Sequence, residues 1–270
     1  MLFDFFYKDK RQNLKFSTKV RNCFEIFIQN VGGGRANASQ LSLGQVKVDE
    51  KSNKITAIPK LLDVLAVKGC IVTIDAMGCQ REIAAKIIEK EADYILAVKG
   101  NQGCLEADIE WTIRFTEPTS AWQEDDFDHG RIETRKCSVY RDLSLIDNAS
   151  NWNGLQGLIK IESTRYIKST GKEETDIRLY ITSSKATAEV LGKGVRSHWG
   201  VENSLYWTLD VSFNEDSSRK RDGYAAQNFS LLNRIALNLI KKEQSKKRSV
   251  KGKKLDAGWN NEYLLKILTN

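Results

Sequence analysis

Two short runs of aliphatic and β-branched residues, Ile71-Val72-Thr73-Ile74 and Tyr94-Ile95-Leu96-Ala97-Val98, are separated by a stretch of helical periodicity. Neither run alternates with polar residues, so each needs cover on both faces of a sheet. Between them, residues 80–90 place Ile83, Ala84, Ile87 and Ile88 on one helical face. Two buried strands joined by a helix form a right-handed crossover with parallel strands, and ligands of such units sit beyond the strands' carboxyl ends. Asp75 and Lys99 follow the two runs directly and are therefore expected side by side at one rim.

The flanking sequence builds on this unit. Leu41-Ser42-Leu43-Gly44-Gln45-Val46-Lys47-Val48 alternates like a half-buried strand and residues 49–53 read as a turn. A helix is expected to open near Ala57-Ile58-Pro59, with proline in its first turn and Leu61, Leu62, Leu65 and Ala66 at helical spacing, and to end at Gly69. Beyond a helix near Trp111, residues 134–140, 158–163 and 177–183 alternate, which predicts an inserted, mainly antiparallel region. Helices return over 186–209 and 222–242, the second with Ala225, Phe229, Leu232, Ile235, Ala236 and Leu239 in an apolar stripe. Residues 246–254 read as a basic linker before a last helix over 262–268. The predicted division is 1–40, 41–105, 106–185, 186–243 and 244–270.

Within the 270 residues no apolar run approaches the roughly 20 residues of a membrane helix, which excludes that class and predicts a cytoplasmic address. The five cysteines lack the paired short spacing of zinc sites or disulfide frameworks and are expected to be reduced and mostly buried. The net charge of +7 and pI near 9.0 favour a polyanionic partner, nucleic acid first, against the alternative of a merely basic surface.

Glu202 interrupts the apolar face of a predicted helix, whose neighbours at three and four positions include His198, Trp199, Leu205 and Tyr206. A buried carboxylate takes up a proton, pairs with a cation such as Arg196 or His198, or binds a metal, magnesium being the usual ion for all-oxygen sites. Asp75 by itself reads equally as a helix cap. Together, a carboxylate at a strand rim and one on a helix packed against that sheet can hold divalent ions for attack on phosphodiesters. Trp199, Tyr206 and Trp207 read as core rather than as base-stacking residues.

Several long motifs in series carry a resemblance: Val72-Thr73-Ile74-Asp75-Ala76-Met77-Gly78-Cys79-Gln80, Ala97-Val98-Lys99-Gly100-Asn101-Gln102-Gly103, His129-Gly130-Arg131-Ile132-Glu133-Thr134-Arg135 and Val195-Arg196-Ser197-His198-Trp199-Gly200-Val201-Glu202-Asn203. Leu209-Asp210-Val211-Ser212-Phe213-Asn214-Glu215-Asp216 and Arg234-Ile235-Ala236-Leu237-Asn238 extend it. From about Leu41 onward the chain resembles the H-repeat-associated DDE transposases of bacterial insertion sequences. The resemblance implies an α/β fold with a ribonuclease-H-like core, an inserted antiparallel β region and C-terminal helices. It implies a site in which three acids bind two magnesium ions that activate water or a DNA 3′-hydroxyl, with Asp75 as the second acid and Glu202 as the third. The expected partner is double-stranded DNA at transposon ends, in a homo-oligomeric complex.

Lys99 is placed to neutralise a phosphate. Arg131, Arg135, Arg196 and His198 complete the candidate DNA contacts, because a guanidinium can hold a phosphate through two donors, although Arg131 and Arg196 read equally as surface ion pairs. The first acid of the family stands in an Asp-Gly-Lys strand, and no Asp-Gly-Lys precedes Leu41; Asp9 is the nearest stand-in by spacing. A truncated or frame-changed, catalytically defective copy is the expectation. A non-catalytic DNA-binding protein and a non-functional remnant are the alternatives. Since the first strand of such a sheet lies beside the strand of Asp75, Phe24-Glu25-Ile26-Phe27-Ile28 is the candidate to replace it.

Overall fold

A computed structural model describes residues 23–24, 27–30, 46–47, 54–128, 131–220 and 224–269. The chain divides into two compact units, with the boundary between Trp207 and Thr208.

In the first unit, β1 (Cys23–Phe24) pairs antiparallel with β3 (Val46–Lys47), while β2 (Phe27–Asn30) lies along the outer edge of the main sheet. Helix α1 (Lys54–Val64) begins earlier than expected, and Pro59 is its sixth residue rather than part of its first turn. Ile58, Leu61 and Leu62 are buried on one side of it, and this burial outweighs the backbone hydrogen bond that proline cannot donate. The helix ends at Val64, and Gly69 supplies a left-handed turn with φ +71° before the next strand.

The expected crossover is present: β4 (Cys70–Ile74), α2 (Arg81–Glu89) and β5 (Asp93–Val98), with β4 and β5 parallel. Next come α3 (Gly103–Phe115) and four strands, β6 (Ser120–Asp128), β7 (Arg131–Tyr140), β8 (Gly157–Ile167) and β9 (Lys172–Thr182). These strands do not form a separate sheet. They extend the parallel pair into one seven-stranded sheet of order β2-β4-β5-β9-β8-β7-β6, in which β9 pairs antiparallel with β5. Strand β6, rich in Asp and Glu, was missed by the alternation argument because its partner strand sets its pairing.

Side-chain alternation divides the core by face. Val72, Ile74, Tyr94, Leu96, Val98, Leu179 and Ile181 pack under Leu61, Ile83, Ile87 and Ile109 of α1, α2 and α3. On the other face Ile71, Ile95, Ala97, Cys137, Ile159 and Tyr180 meet Ala188, Leu191 and Val195 of α4 (Ala188–Phe213). At Gly192 the helix comes so near that an added Cβ would stand 2.9 Å from the Cβ of Cys137. The guanidinium of Arg141 fixes the entry to α4 by donating to the carbonyls of Gln156, Ser184 and Ala186.

Beside β4, where the resemblance puts the first strand, β2 runs antiparallel, with Phe27 opposite Thr73 and Asn30 opposite Cys70. Phe27 and Ile28 thus take the role expected of the 24–28 segment, Phe24 belongs to β1, and Glu25 and Ile26 lie outside the described residues, as do Asp9 and residues 41–45.

The second unit contains the end of α4, then α5 (Ala225–Lys242), α6 (Val250–Trp259) and α7 (Asn261–Thr269). Residues 250–254, read from sequence as part of a linker, instead form the first half of α6. Ile240, Ala257, Tyr263 and Ile267 form the core here, with Phe213, Leu239 and Val250 against it. Among the described residues no helix is long and apolar enough to cross a membrane. Cys70, Cys79 and Cys137 are buried free thiols, and burial pushes Cys79 and Cys137 up to about 12, while Cys104 is exposed.

Candidate functional site

Asp75 follows the last residue of β4 in extended conformation and caps a short 3-10 turn, its Oδ1 accepting from the backbone N–H of Gly78 at 3.4 Å. Gly78 is required by proximity, since a Cβ there would stand 2.2 Å from Cγ2 of Ile74. Lys99 leaves β5 in the matching position. The two turns are tied together: Asn101 Nδ2 donates to the carbonyl of Ala76 at 2.6 Å, and Gln102 Nε2 to that of Cys79 at 2.9 Å. These amides lie within a motif singled out from sequence, but their positioning role emerges only from the fold.

Asp75 and Lys99 line a cleft of about 40 Å³ whose floor is Thr73, Ile95, Ala97 and Tyr180 and whose roof is Val195 and His198. That is far below the several hundred Å³ of a small-molecule site, and suits an ion or a few waters. His198 Nδ1 and Thr73 Oγ1 share a hydrogen bond of 3.0 Å, which pins α4 to the strand bearing Asp75. Burial, and secondarily the charge of Arg178, push the imidazole down to about 4, so it is neutral at pH 7.

Glu202 lies on α4 one turn beyond His198. On the same face, at helical spacing, Val195, Leu205 and Leu209 are buried, as the sequence pattern requires. Trp207 is 64% exposed, contrary to its reading as core. Arg196 is ion-paired with Asp126 at 2.8 Å and Glu124 at 3.9 Å. Arg135 pairs with Glu133 and, more loosely, Asp126, and Arg165 joins Glu133 at 2.9 Å. The structure therefore brings together Asp75, Lys99 and His198, while Arg135 and Arg196 belong to a charge network over β6–β8, and Arg131 opens β7 at an exposed position. His129 lies outside the described residues. Among the described residues no three His, Cys, Asp or Glu side chains cluster as a metal site.

Comparison with known proteins adds an independent finding. A family described as "Transposase DDE domain" matches residues 36–239. "H repeat-associated putative transposase YhhI" of Escherichia coli K12 is 41% identical over 237 residues, 84% of this chain and 62% of that protein. "Putative transposase YncI" of Escherichia coli O157:H7 is 40% identical over 241 residues, 87% of this chain and 62% of its own length. "Putative protein YbfL" of Escherichia coli K12 matches to the same extent as the first. The chain thus spans 62% of the length of these relatives.

Proposed function

The chain belongs to the DDE transposase domain family, and from that premise we propose that it is a transposase chain whose Asp75 and Glu202 are two acids of a metal-binding site acting on DNA at transposon ends. The observation that carries the reading is the cleft itself: Asp75 and Lys99 stand at one rim, under the helix that bears Glu202 one turn past the Thr73–His198 contact.

The donor set fits magnesium. Asp75 offers a hard oxygen at a half-exposed rim, and magnesium is held by one or two carboxylates while keeping several waters. When bound, such ions supply a nucleophile at neutral pH and stabilise charge at the scissile phosphate. This chain's residues do the rest. The Gly78 turn aims the carboxylate of Asp75, Asn101 and Gln102 hold the two rims in register, Lys99 neutralises a DNA phosphate, and neutral His198 keeps α4 seated. Arg131, Arg135 and Arg196 are secondary phosphate contacts, the last two exchanging carboxylate partners for phosphate. A ribonuclease-H-like core and assembly of several copies on DNA complete the proposal.

Among the described residues no third acid joins Asp75 and Glu202, and the chain is read as catalytically defective. Two features support this: no Asp-Gly-Lys precedes Leu41, and the strand beside β4 is Phe-Ile-Gln-Asn, which holds no acid. The test uses a linear duplex with the element's terminal repeats and magnesium. The protein should bind without cutting, whereas a chimera carrying the N-terminal segment of a 41%-identical relative should cut and lose this on Asp75→Ala or Glu202→Ala. Cutting by the unmodified protein that is lost on Asp75→Ala would overturn the claim of inactivity, and no DNA affinity at low salt would overturn the reading as a transposase.

A further inference from the structure

The last quarter of the chain is strongly basic. Residues 1–207 carry 29 Lys and Arg against 28 Asp and Glu, whereas residues 208–270 carry 13 against 7. Residues 208–270 thus carry a net +6 in 63 residues.

Within that unit the charges are sorted by burial. Lys253 is buried and turned inward, paired with the buried Glu243 at 3.6 Å and donating to the carbonyls of Glu243 and Ile240. Glu243 also accepts from Tyr263 Oη at 2.8 Å and from Ser245. The Ser245 hydrogen bonds, with those of Tyr263 and the charge of Lys253, hold its carboxyl down at about 2 despite burial. This polar cluster locks α6 against α5 and α7. The outward side of the same short stretch is left to cations: Lys246, Lys247, Arg248, Lys251 and Lys254 are all exposed.

Local energetics disfavour this arrangement in the isolated chain. The N-terminus of α6, capped by Ser249 Oγ on the N–H of Gly252, is the positive end of a helix dipole, where acidic residues normally sit. Its first turn holds no acid, and Lys251 and Lys254 stand three residues apart on the helix with like charge. Asp256 compensates only Lys246 and Arg248. Among the described residues no carboxylate pairs with Lys247 or Lys251, and Lys254 reaches the carbonyl of Ser212. A local conflict fixed in place by a buried network is what a surface built for a polyanion looks like.

The geometry points to the N-terminal end of α6, with Lys247, Lys251 and Lys254 as its contacts, as a docking surface for the phosphate backbone of duplex DNA, formed by residues other than those of the Asp75 cleft. This rests on the reading of the chain as a DNA-handling protein. The contacts are to backbone, so binding here is independent of sequence and strongly salt-dependent.

The test is fluorescence anisotropy of the 270-residue protein with a labelled 20-base-pair duplex of arbitrary sequence across a salt series, beside the triple variant Lys247→Gln, Lys251→Gln, Lys254→Gln. Loss of three phosphate contacts should lower the slope of log affinity against log salt by about 2 to 3 and weaken binding at least about tenfold at 0.1 M salt, with a melting temperature no lower than that of the wild type. A variant that binds with the wild-type slope and affinity overturns this inference and leaves the proposed transposase site untouched. A wild-type protein that ignores the duplex, or that binds only vesicles containing phosphatidylserine, overturns both.

Discussion

The imidazole of His198 meets the hydroxyl of Thr73 at 3.0 Å, joining the helix that carries Glu202 to the strand that ends at Asp75. Thr73 precedes Asp75 by two residues and His198 precedes Glu202 by one helical turn, so this contact ties together the backbone segments that bear the two residues. Thr73→Val keeps the shape and removes the hydrogen bond. It should cost about 1 to 2 kcal/mol, read by chemical denaturation. If the contact also seats the site, affinity for manganese, measured by calorimetry, should fall in Thr73→Val but stay near wild type in Thr73→Ser.

The low pKa of His198 makes stability depend on pH in a defined window. Above the ordinary value of about 6.5 the imidazole is neutral in folded and unfolded chains alike. As pH falls from 6.5 toward 4 the unfolded chain takes up the proton first, so stability is lost over that interval and levels off below it. The loss is about 3 kcal/mol, on the order of 10 °C in Tm for a chain of this size. His198→Gln should show a flatter Tm profile between pH 6.5 and 4, and identical profiles would contradict the assignment.

Gly78→Ala should destabilise by about 1 to 3 kcal/mol, because the added methyl group meets Ile74 and Ile58 in a packed core. It should also disturb the turn that orients Asp75. Ile74→Ala removes the Cγ2 that the new methyl group meets, so the costs of Gly78→Ala and Ile74→Ala should add up to more than that of the double variant, read from the three denaturation midpoints.

In the C-terminal unit, Glu215 and Arg234 form a buried ion pair at 3.0 Å, with Ser230 also accepting from the guanidinium. Glu215→Ala leaves a buried charge behind and should cost about 3 to 5 kcal/mol. The double variant Glu215→Leu, Arg234→Met should recover most of that loss, since removing both charges removes the penalty with them. Equal melting temperatures for the single and double variants would argue against the pair's burial.

This pair also marks where sequence reasoning reached its limit. The β4-α2-β5 unit was legible because its strands are buried on both faces and its helix is amphipathic, so pattern alone fixes both type and direction. In α5 the apolar stripe was the obvious inward face, yet Leu232 and Ile235 are 60% and 47% exposed, and Ser230, Asn233, Arg234, Leu237 and Ile240 point inward. The partner of Arg234 is 19 residues away, and no periodicity reveals a satisfied buried charge. Lys253 was hidden in the same way: in sequence it is one lysine among many in a basic run, and only Glu243 and Tyr263 distinguish it. At the candidate site the sequence pointed to Asp75 and Lys99 because both end buried strands. Asn101, Gln102 and Thr73 act through contacts between elements, which spacing along the chain does not encode.

The account turns on whether Asp75 and Glu202 hold a common divalent cation. Anomalous diffraction from crystals grown with manganese addresses this most directly. The account predicts one peak bonded, at about 2.2 Å, to carboxylate oxygens of both residues. A peak on Asp75 with the Glu202 carboxylate directed elsewhere, or no peak at this rim, would contradict it.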